Sequence, residues 1–203
     1  SSARELVKAN DISKSAKSSA VLYGGLQYDV DPELMAHNSK RHDVSSLMAM
    51  RGDITRGDMV FDELPGAKTE IEKITEILDK SGFEVTSYYG ADGTEESFLD
   101  MNGKSPQILH LATHGFYYTP LEAEEVDYLN GYNDAMLLSG LIMSGGNAAW
   151  QGKELPDGVL GGVLTANNIA HLDLSTTDLV VLSACKSGQG ESTSEGLYGL
   201  QRA

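Results

Sequence analysis

The chain has 203 residues, and its 15 Lys and Arg against 30 Asp and Glu give a formal net charge of −15. So acidic a surface repels phosphate backbones, which argues against nucleic acid as a direct ligand. The length is typical of one domain that buries a core of its own. No run approaches the roughly 18 apolar residues of a membrane helix, so no membrane partner is predicted.

The sequence contains a single cysteine, Cys185. One cysteine excludes an intrachain disulfide and a cysteine-rich zinc site, and no metal or cofactor is predicted. It is also typical of a reducing compartment, which favours the cytoplasm, although secretion stays open. Any thiol chemistry must therefore use Cys185.

The N-terminal part divides into a polar segment, residues 1–19, and the start of a single domain over residues 20–203. Residues 20–28, AVLYGGLQY, predict a buried strand in which two adjacent glycines allow close approach of another element. Residues 29–62 lack a clear period and predict a long excursion with a short helix at residues 32–36.

A helix is predicted from residue 67, because Ile71, Ile74 and Leu78 recur on one helical face. Gly82 stands just after it as a stop signal. Residues 83–89 then alternate as a strand.

Further along, Thr94 is predicted to cap a short helix that runs to residue 101. Residues 107–113, QILHLAT, form an apolar run that breaks at His114 and Gly115. A polar, acidic loop is expected to follow, over residues 117–134.

The last part begins with another apolar stretch, residues 135–143. Thr165 is predicted to cap a short helix that ends near His171. Residues 178–184, DLVVLSA, predict a buried strand that leads to Cys185, and Ser192 with Glu195 predicts a capping box.

Strands that alternate with helices predict an α/β fold with a mostly parallel sheet flanked by helices on both faces. Ligands of such sheets bind beyond the carboxyl ends of the strands. One predicted strand leads to His114 and another to Cys185. This placement predicts that the two side chains share a site.

The chemistry of the two residues fits nucleophilic catalysis. A thiol needs a base that removes its proton and N–H donors that hold the developing oxyanion. His114 can act as the acid–base partner, and Gly115 has no side chain to block its amide. Lys186 and the N-terminus of a following helix would each lower the pKa of the Cys185 thiol. The glycine-rich turn after Cys185 would leave backbone N–H groups free to point at a substrate carbonyl.

Two motifs carry a resemblance to a known family. HLATHGF, residues 110–116, resembles the first signature of CHAT domains. LSAC, residues 182–185, and EGLYGL, residues 195–200, are similar to the second. The resemblance implies a caspase-like fold and a cysteine peptidase with a catalytic dyad of His114 and Cys185. It also implies that the backbone N–H groups of Gly115 and Cys185 form the oxyanion hole.

The resemblance further implies a bacterial origin, and activation by a sensor or a fused helical-repeat domain. CHAT domains continue into two more strands, so the C-terminal strands are expected to be missing from this chain. The expected substrate is a protein or peptide.

Substrate preference is open from the sequence. In related peptidases the loop after the first strand helps to line the pocket for the residue before the cut, and Asp29 and Asp31 lie there. A carboxylate in that pocket would select Lys or Arg, as would Glu191. The alternative is that both aspartates are turn residues that flank Pro32.

The His110 and His114 pair has the spacing of a zinc-binding helix, but Leu111 stands where a catalytic Glu is needed. His110 is therefore interpreted as a core histidine.

Three functions remain: a regulated endopeptidase, a catalytically silent CHAT scaffold, and a thiol transferase that uses the same dyad. Within the first, autoprocessing is expected after basic residues, at Lys40–Arg41 or at Arg202.

Overall fold

The structure, a computed structural model, describes residues 18–45, 47, 57–118 and 136–183. The strands are β1 (Ser19–Leu26), β2 (Glu84–Gly90), β3 (Ile108–Ala112), β4 (His114–Tyr117), β5 (Ser139–Ile142), β6 (Val163–Thr165) and β7 (Leu179–Leu182). The helices are α1 (Pro32–Ser39), α2 (Ala67–Lys80), α3 (Glu95–Leu99), α4 (Gly146–Trp150) and α5 (Ala166–Ala170). No helix in this part of the chain is long and apolar enough to cross a membrane.

Four strands form a parallel sheet in the order β2-β1-β3-β7. The chain first places β2 on one side of β1 and then returns to place β3 on the other. The β1 strand is the apolar run predicted from the sequence, and β3 and β7 continue the same pattern. The predicted α/β fold with a mostly parallel sheet is confirmed.

Helix α2 covers one face of this sheet. Its Ala67 and Ile71 pack with Leu22 and Ala112 in a buried cluster. The helix ends at Lys80, and Gly82 follows with a φ of 85°, a conformation that glycine adopts without strain. The predicted bounds and stop signal of this helix are confirmed.

The opposite face is covered by α3 and by β5. Phe98 and Leu99 of α3 pack with Tyr23, Leu109 and Leu111 in the largest buried cluster. The Thr94 side chain accepts a hydrogen bond from the Ser97 amide at the start of α3, as its sequence position predicts. Helices on both faces are thus confirmed.

A second sheet was not predicted. Strands β4, β5 and β6 are antiparallel in that order, and β4 begins at His114, where the sequence predicted only a break. Strands β5 and β6 can lie this close only because residue 140 is a glycine: a Cβ at Gly140 would lie 2.2 Å from the Leu164 carbonyl oxygen. The sequence hides this sheet because its strands have only three or four residues.

Residues 178–184 were predicted to form a buried strand; the strand is confirmed for its described part, Leu179–Leu182, but the predicted burial was wrong. Leu179 and Val180 are each 50% exposed. Among the described residues β7 is the last strand of its sheet, so one edge and part of its surface lack neighbours there. An apolar run predicts a strand, but its position in the sheet decides the burial.

Candidate active site

The carboxyl ends of β1 and β3 form the topological switch point of the parallel sheet. The chain runs from β1 to β2 on one side of the sheet, whereas after β3 it leads to β7 on the other side, so the two connections leave the carboxyl ends of β1 and β3 in opposite directions. A crevice at such a point is where open α/β sheets bind ligands. Tyr28 follows β1 and His114 follows β3, and their rings meet with centroids 4.9 Å apart.

His114 is held by a backbone carbonyl. The residue is only 7% exposed, and its Nε2 lies 2.7 Å from the carbonyl oxygen of Asp62. A carbonyl can only accept, so Nε2 carries the proton and donates it. In the neutral imidazole Nδ1 is then the basic nitrogen, which is the state required of a general base.

Aromatic rings surround the imidazole. Besides Tyr28, the ring of Phe61 lies 5.3 Å from that of His114, centroid to centroid. Burial is the main effect and lowers the pKa of His114, whereas the Asp62 carbonyl and carboxylate act in the opposite direction. His114 is therefore predominantly neutral at pH 7.

Tyr28 is itself fixed by hydrogen bonds. Its hydroxyl lies 2.9 Å from the Thr113 hydroxyl, which in turn donates to the Ile142 carbonyl. Burial raises the pKa of Tyr28, and the hydrogen bonds with Thr113 and with the His114 amide only partly offset this. The phenol thus remains neutral and serves as a wall of the site.

Asp62 was missed by the sequence analysis. Its hydrogen bond to His114 uses a backbone carbonyl, which every residue possesses, so the sequence carries no signal for this contact. The carbonyl reaches His114 only because residues 57–66 pass across the carboxyl end of the sheet.

Gly115 lies in β4 and is half-buried. The Tyr118 amide donates to the Leu138 carbonyl, so Tyr118 and Leu138 form a hydrogen-bonded pair of the ladder between the β4 and β5 segments. Alternation along the antiparallel ladder then makes Gly115 and Leu141 a non-hydrogen-bonded pair, so the Gly115 amide is directed away from β5.

The strands that lead to His114 and Cys185 are neighbours. Leu111 of β3 pairs with Leu182 of β7, and the Ser183 amide donates to the Leu111 carbonyl at 2.8 Å. His114 and Cys185 each follow these paired leucines by three residues. Cys185 itself lies outside the described residues.

Comparison with known proteins identifies the family. The CHAT domain family matches residues 1–203, the whole chain. The chain belongs to the CHAT-domain family. This family is associated with caspase-like peptidases.

No curated protein matches this CHAT chain. Among solved structures it is similar to protein GSU0716 from Geobacter sulfurreducens, with 17% identity and a TM-score of 0.44. The match covers 86% of this chain and 52% of that protein, so the CHAT chain spans about half the length of the solved one.

The two aspartates of the CHAT chain differ in their surroundings. Asp31 is the N-cap of α1, where its Oδ1 accepts a hydrogen bond from the Glu33 amide at 2.9 Å. Asp29 is exposed and immediately follows Tyr28. Asp31 therefore has a structural role in the helix, while Asp29 stands beside the site. Glu191 lies outside the described residues, as does the predicted capping box.

His110 of the CHAT chain is a buried core residue, as predicted. Its Nε2 lies 2.8 Å from Oε1 of Glu70 on α2, on the face of the sheet that α2 covers. No group of three or more His, Cys, Asp or Glu within the described part of the chain could hold a metal ion.

Proposed function

We propose that this CHAT chain is a cysteine endopeptidase that cleaves a protein substrate with Cys185 as nucleophile and His114 as general acid and base. The observation that carries the proposal is the state of His114. It is a buried imidazole at the switch point, neutral at pH 7, with Nε2–H donated to a carbonyl and Nδ1 left as the base. The neighbouring strand leads to the only cysteine.

The proposed reaction has two stages. Nδ1 of His114 takes the thiol proton, and the Cys185 sulfur attacks the carbonyl carbon of the scissile bond. When the C–N bond breaks, His114 returns this proton to the leaving amine and a thioester remains. Water then gives a proton to His114 and its oxygen attacks the thioester, and the thiol leaves with that proton.

The oxyanion of each tetrahedral intermediate needs backbone donors. We assign this role to the amides of Gly115 and Cys185. The direction of the Gly115 amide, away from β5, supports its part in the assignment. A pair of such donors contributes by stabilising charge that exists only in the transition state.

Asp29 is the favoured specificity residue. Its exposed carboxylate follows Tyr28 directly, whereas the carboxylate of Asp31 is engaged at the helix cap. We propose that Asp29 binds the Lys or Arg side chain that precedes the cut. Loss of Lys and Arg preference in Asp29→Asn, with preference retained in Asp31→Asn, supports this role. If both variants keep the wild-type preference for Lys and Arg, the proposed role of Asp29 is contradicted.

Autoprocessing at Lys40–Arg41 would require local opening. Lys40 is the C-cap of α1, and the Arg41 amide donates to the Asn38 carbonyl at 3.1 Å. This bond is thus held in a helical end rather than in an extended segment that a peptidase could accept. Arg202 lies outside the described residues.

The decisive experiment is the digestion of a diverse peptide mixture, read by mass spectrometry. Wild type is compared with Cys185→Ala and His114→Gln. New peptide termini found only with wild type support the endopeptidase. Transfer of an acyl group to an added amine, without hydrolysis, indicates the transferase instead. If the protein stays inert after any sensor or helical-repeat partner encoded with it is added, a scaffold is indicated.

A further inference from the structure

A buried asparagine holds the segment that contacts His114. Asn147, in the first turn of α4, is fully buried. Its Oδ1 accepts a hydrogen bond from the Phe61 amide at 2.8 Å, and its Nδ2 donates to the Phe61 carbonyl at 3.0 Å. The side-chain amide thus binds both backbone groups of one residue, as a neighbouring strand would.

The same asparagine is bonded to the other wall of the site. Its backbone amide donates to the Tyr28 carbonyl at 3.1 Å. The rings of both Tyr28 and Phe61 contact the imidazole of His114. Asn147 therefore links the residue after β1 to the segment that crosses the site.

Phe61 is followed directly by Asp62, whose carbonyl accepts the Nε2 proton of His114. Residues 57–63 form no helix or strand, so no ladder of backbone bonds fixes this carbonyl. The Phe61 ring adds an edge contact to Trp150, centroids 4.9 Å apart. Packing can fix the position of the Phe61 ring. The direction of the Asp62 carbonyl depends instead on the peptide groups on either side of Phe61, which Asn147 binds.

We propose that Asn147 is a positioning residue that sets the tautomer of His114 by fixing the backbone of Phe61 and Asp62. Its importance for catalysis rests on the proposed function, but its effect on the imidazole does not. An asparagine suits the position because it offers one acceptor and one donor side by side. An aspartate keeps the acceptor, loses the donor, and places an oxygen against the Phe61 carbonyl.

The test is the ring-nitrogen spectrum of His114, recorded by 15N NMR above the pKa of the imidazole. The variants are Asn147→Asp and Asn147→Ala, each in the Cys185→Ala background so that the thiol does not contribute. Asn38→Asp is the matched control, because Asn38 is also buried and donates to a backbone carbonyl, that of Ala91 at 2.9 Å. Asp62 and Tyr28, the titratable groups that face His114, stay unchanged in all of the variants. Asn147→Ala removes the hydrogen bonds without the carboxylate that Asn147→Asp adds.

We expect the wild type and the Asn38 variant to show the Nε2–H tautomer. In the Asn147 variants the ratio of Nε2–H to Nδ1–H should fall roughly tenfold, the upper range for loss of one ordinary hydrogen bond. With Cys185 restored, kcat should fall roughly tenfold or more while KM changes little, because orientation of the base is lost and not substrate binding. An unchanged tautomer in folded Asn147 variants overturns the proposal.

The two proposals fail separately. If the tautomer shifts but no variant ever cleaves a peptide, the positioning role stands and the peptidase does not. If the Asn147 variants do not fold, hydrogen exchange of the wild type decides. A Phe61 amide that exchanges as fast as an exposed loop, beside a fixed Nε2–H tautomer, would rule out Asn147 as the cause.

Discussion

Two opposing effects act on the pKa of His114. Burial among aromatic rings disfavours the imidazolium, and the Asp62 carbonyl and carboxylate favour it. Burial is the larger effect, so the pKa of His114 is lower than its usual value of 6.5.

The first prediction concerns this titration. In Cys185→Ala, NMR should give His114 a pKa below 6.5, because desolvation exceeds the contribution of Asp62. In the active protein the acid limb of kcat should then lie below about pH 6.5, since the neutral base persists to lower pH. A pKa of His114 at or above 6.5 would contradict the prediction.

The same shift has a consequence for stability. The unfolded chain binds a proton on His114 at a higher pH than the folded chain does, so folding is favoured as pH rises. This contribution is fully present above about pH 6.5, the usual pKa of histidine, and is lost as the pH falls through the folded pKa. Substitution of His114 by Gln should flatten this part of the profile of unfolding free energy against pH.

At the scale of elements, β1 and α2 approach so closely that only glycine fits between them. A Cβ at Gly24 would lie 2.4 Å from Cγ1 of Ile71 and 2.9 Å from the Ala67 carbonyl oxygen. A Cβ at the adjacent Gly25 would lie 2.7 Å from Cβ of Lys68. The paired glycines in the strand sequence thus find their reason in the helix.

The second prediction tests this contact. Gly24→Ala should lower the free energy of unfolding by roughly 1–3 kcal/mol, because the added methyl overpacks the β1–α2 contact. Ile71→Ala alone should cost roughly 2–5 kcal/mol through the cavity it leaves. In the double variant the alanine methyl occupies part of that cavity, so urea unfolding should give a loss smaller than the sum. An additive result would show that the two sites do not interact.

A polar contact ties the same helix to two strands. Glu70 of α2 lies 2.8 Å from His110 of β3 through one oxygen, and 3.4 Å from the hydroxyl of Ser183, just after β7, through the other. Glu70 therefore connects β3, which leads to His114, with the end of β7, which leads to Cys185.

The third prediction is that Glu70→Ala destabilises the fold by roughly 1–3 kcal/mol, because it leaves a buried ring nitrogen of His110 without its partner. Glu70→Gln retains an acceptor and should cost less. Glu72→Ala, an exposed site on the same helix, should stay within about 0.5 kcal/mol of wild type. Urea unfolding measures all three, and an equal effect at Glu70 and Glu72 would contradict the role of the contact.

At the scale of the whole molecule, the net charge of −15 gives the folded chain a self-repulsion that salt screens. The fourth prediction is that the Tm at pH 7 rises by a few degrees, about 2–5 °C, when salt is increased from about 20 mM to 500 mM. The increment should shrink near pH 5, where the charge is smaller because the pI is about 4.6. A salt effect of equal size at both pH values would exclude net charge as its cause.

The sequence by itself determined the features that depend on local order. Helix α2 follows from the spacing of Ile71 and its apolar neighbours, and the caps at Thr94 and Thr165 follow from short-range hydrogen bonding. Apolar runs marked β1, β3 and β7, alternation marked β2, and the motif that begins in β3 marked His114. These signals can be read because each one acts within a few residues of the chain.

Tertiary structure alone decided the rest. The antiparallel sheet and the contact between Asp62 and His114 join residues that are distant in the chain. The exposure of Leu179 and Val180 likewise depends on which distant segments pack beside them. A strand of three or four residues has too few positions to display a period, and burial depends on the neighbours that a strand acquires. A backbone carbonyl is present at every residue, so only the folded path of the chain determines which one meets the imidazole.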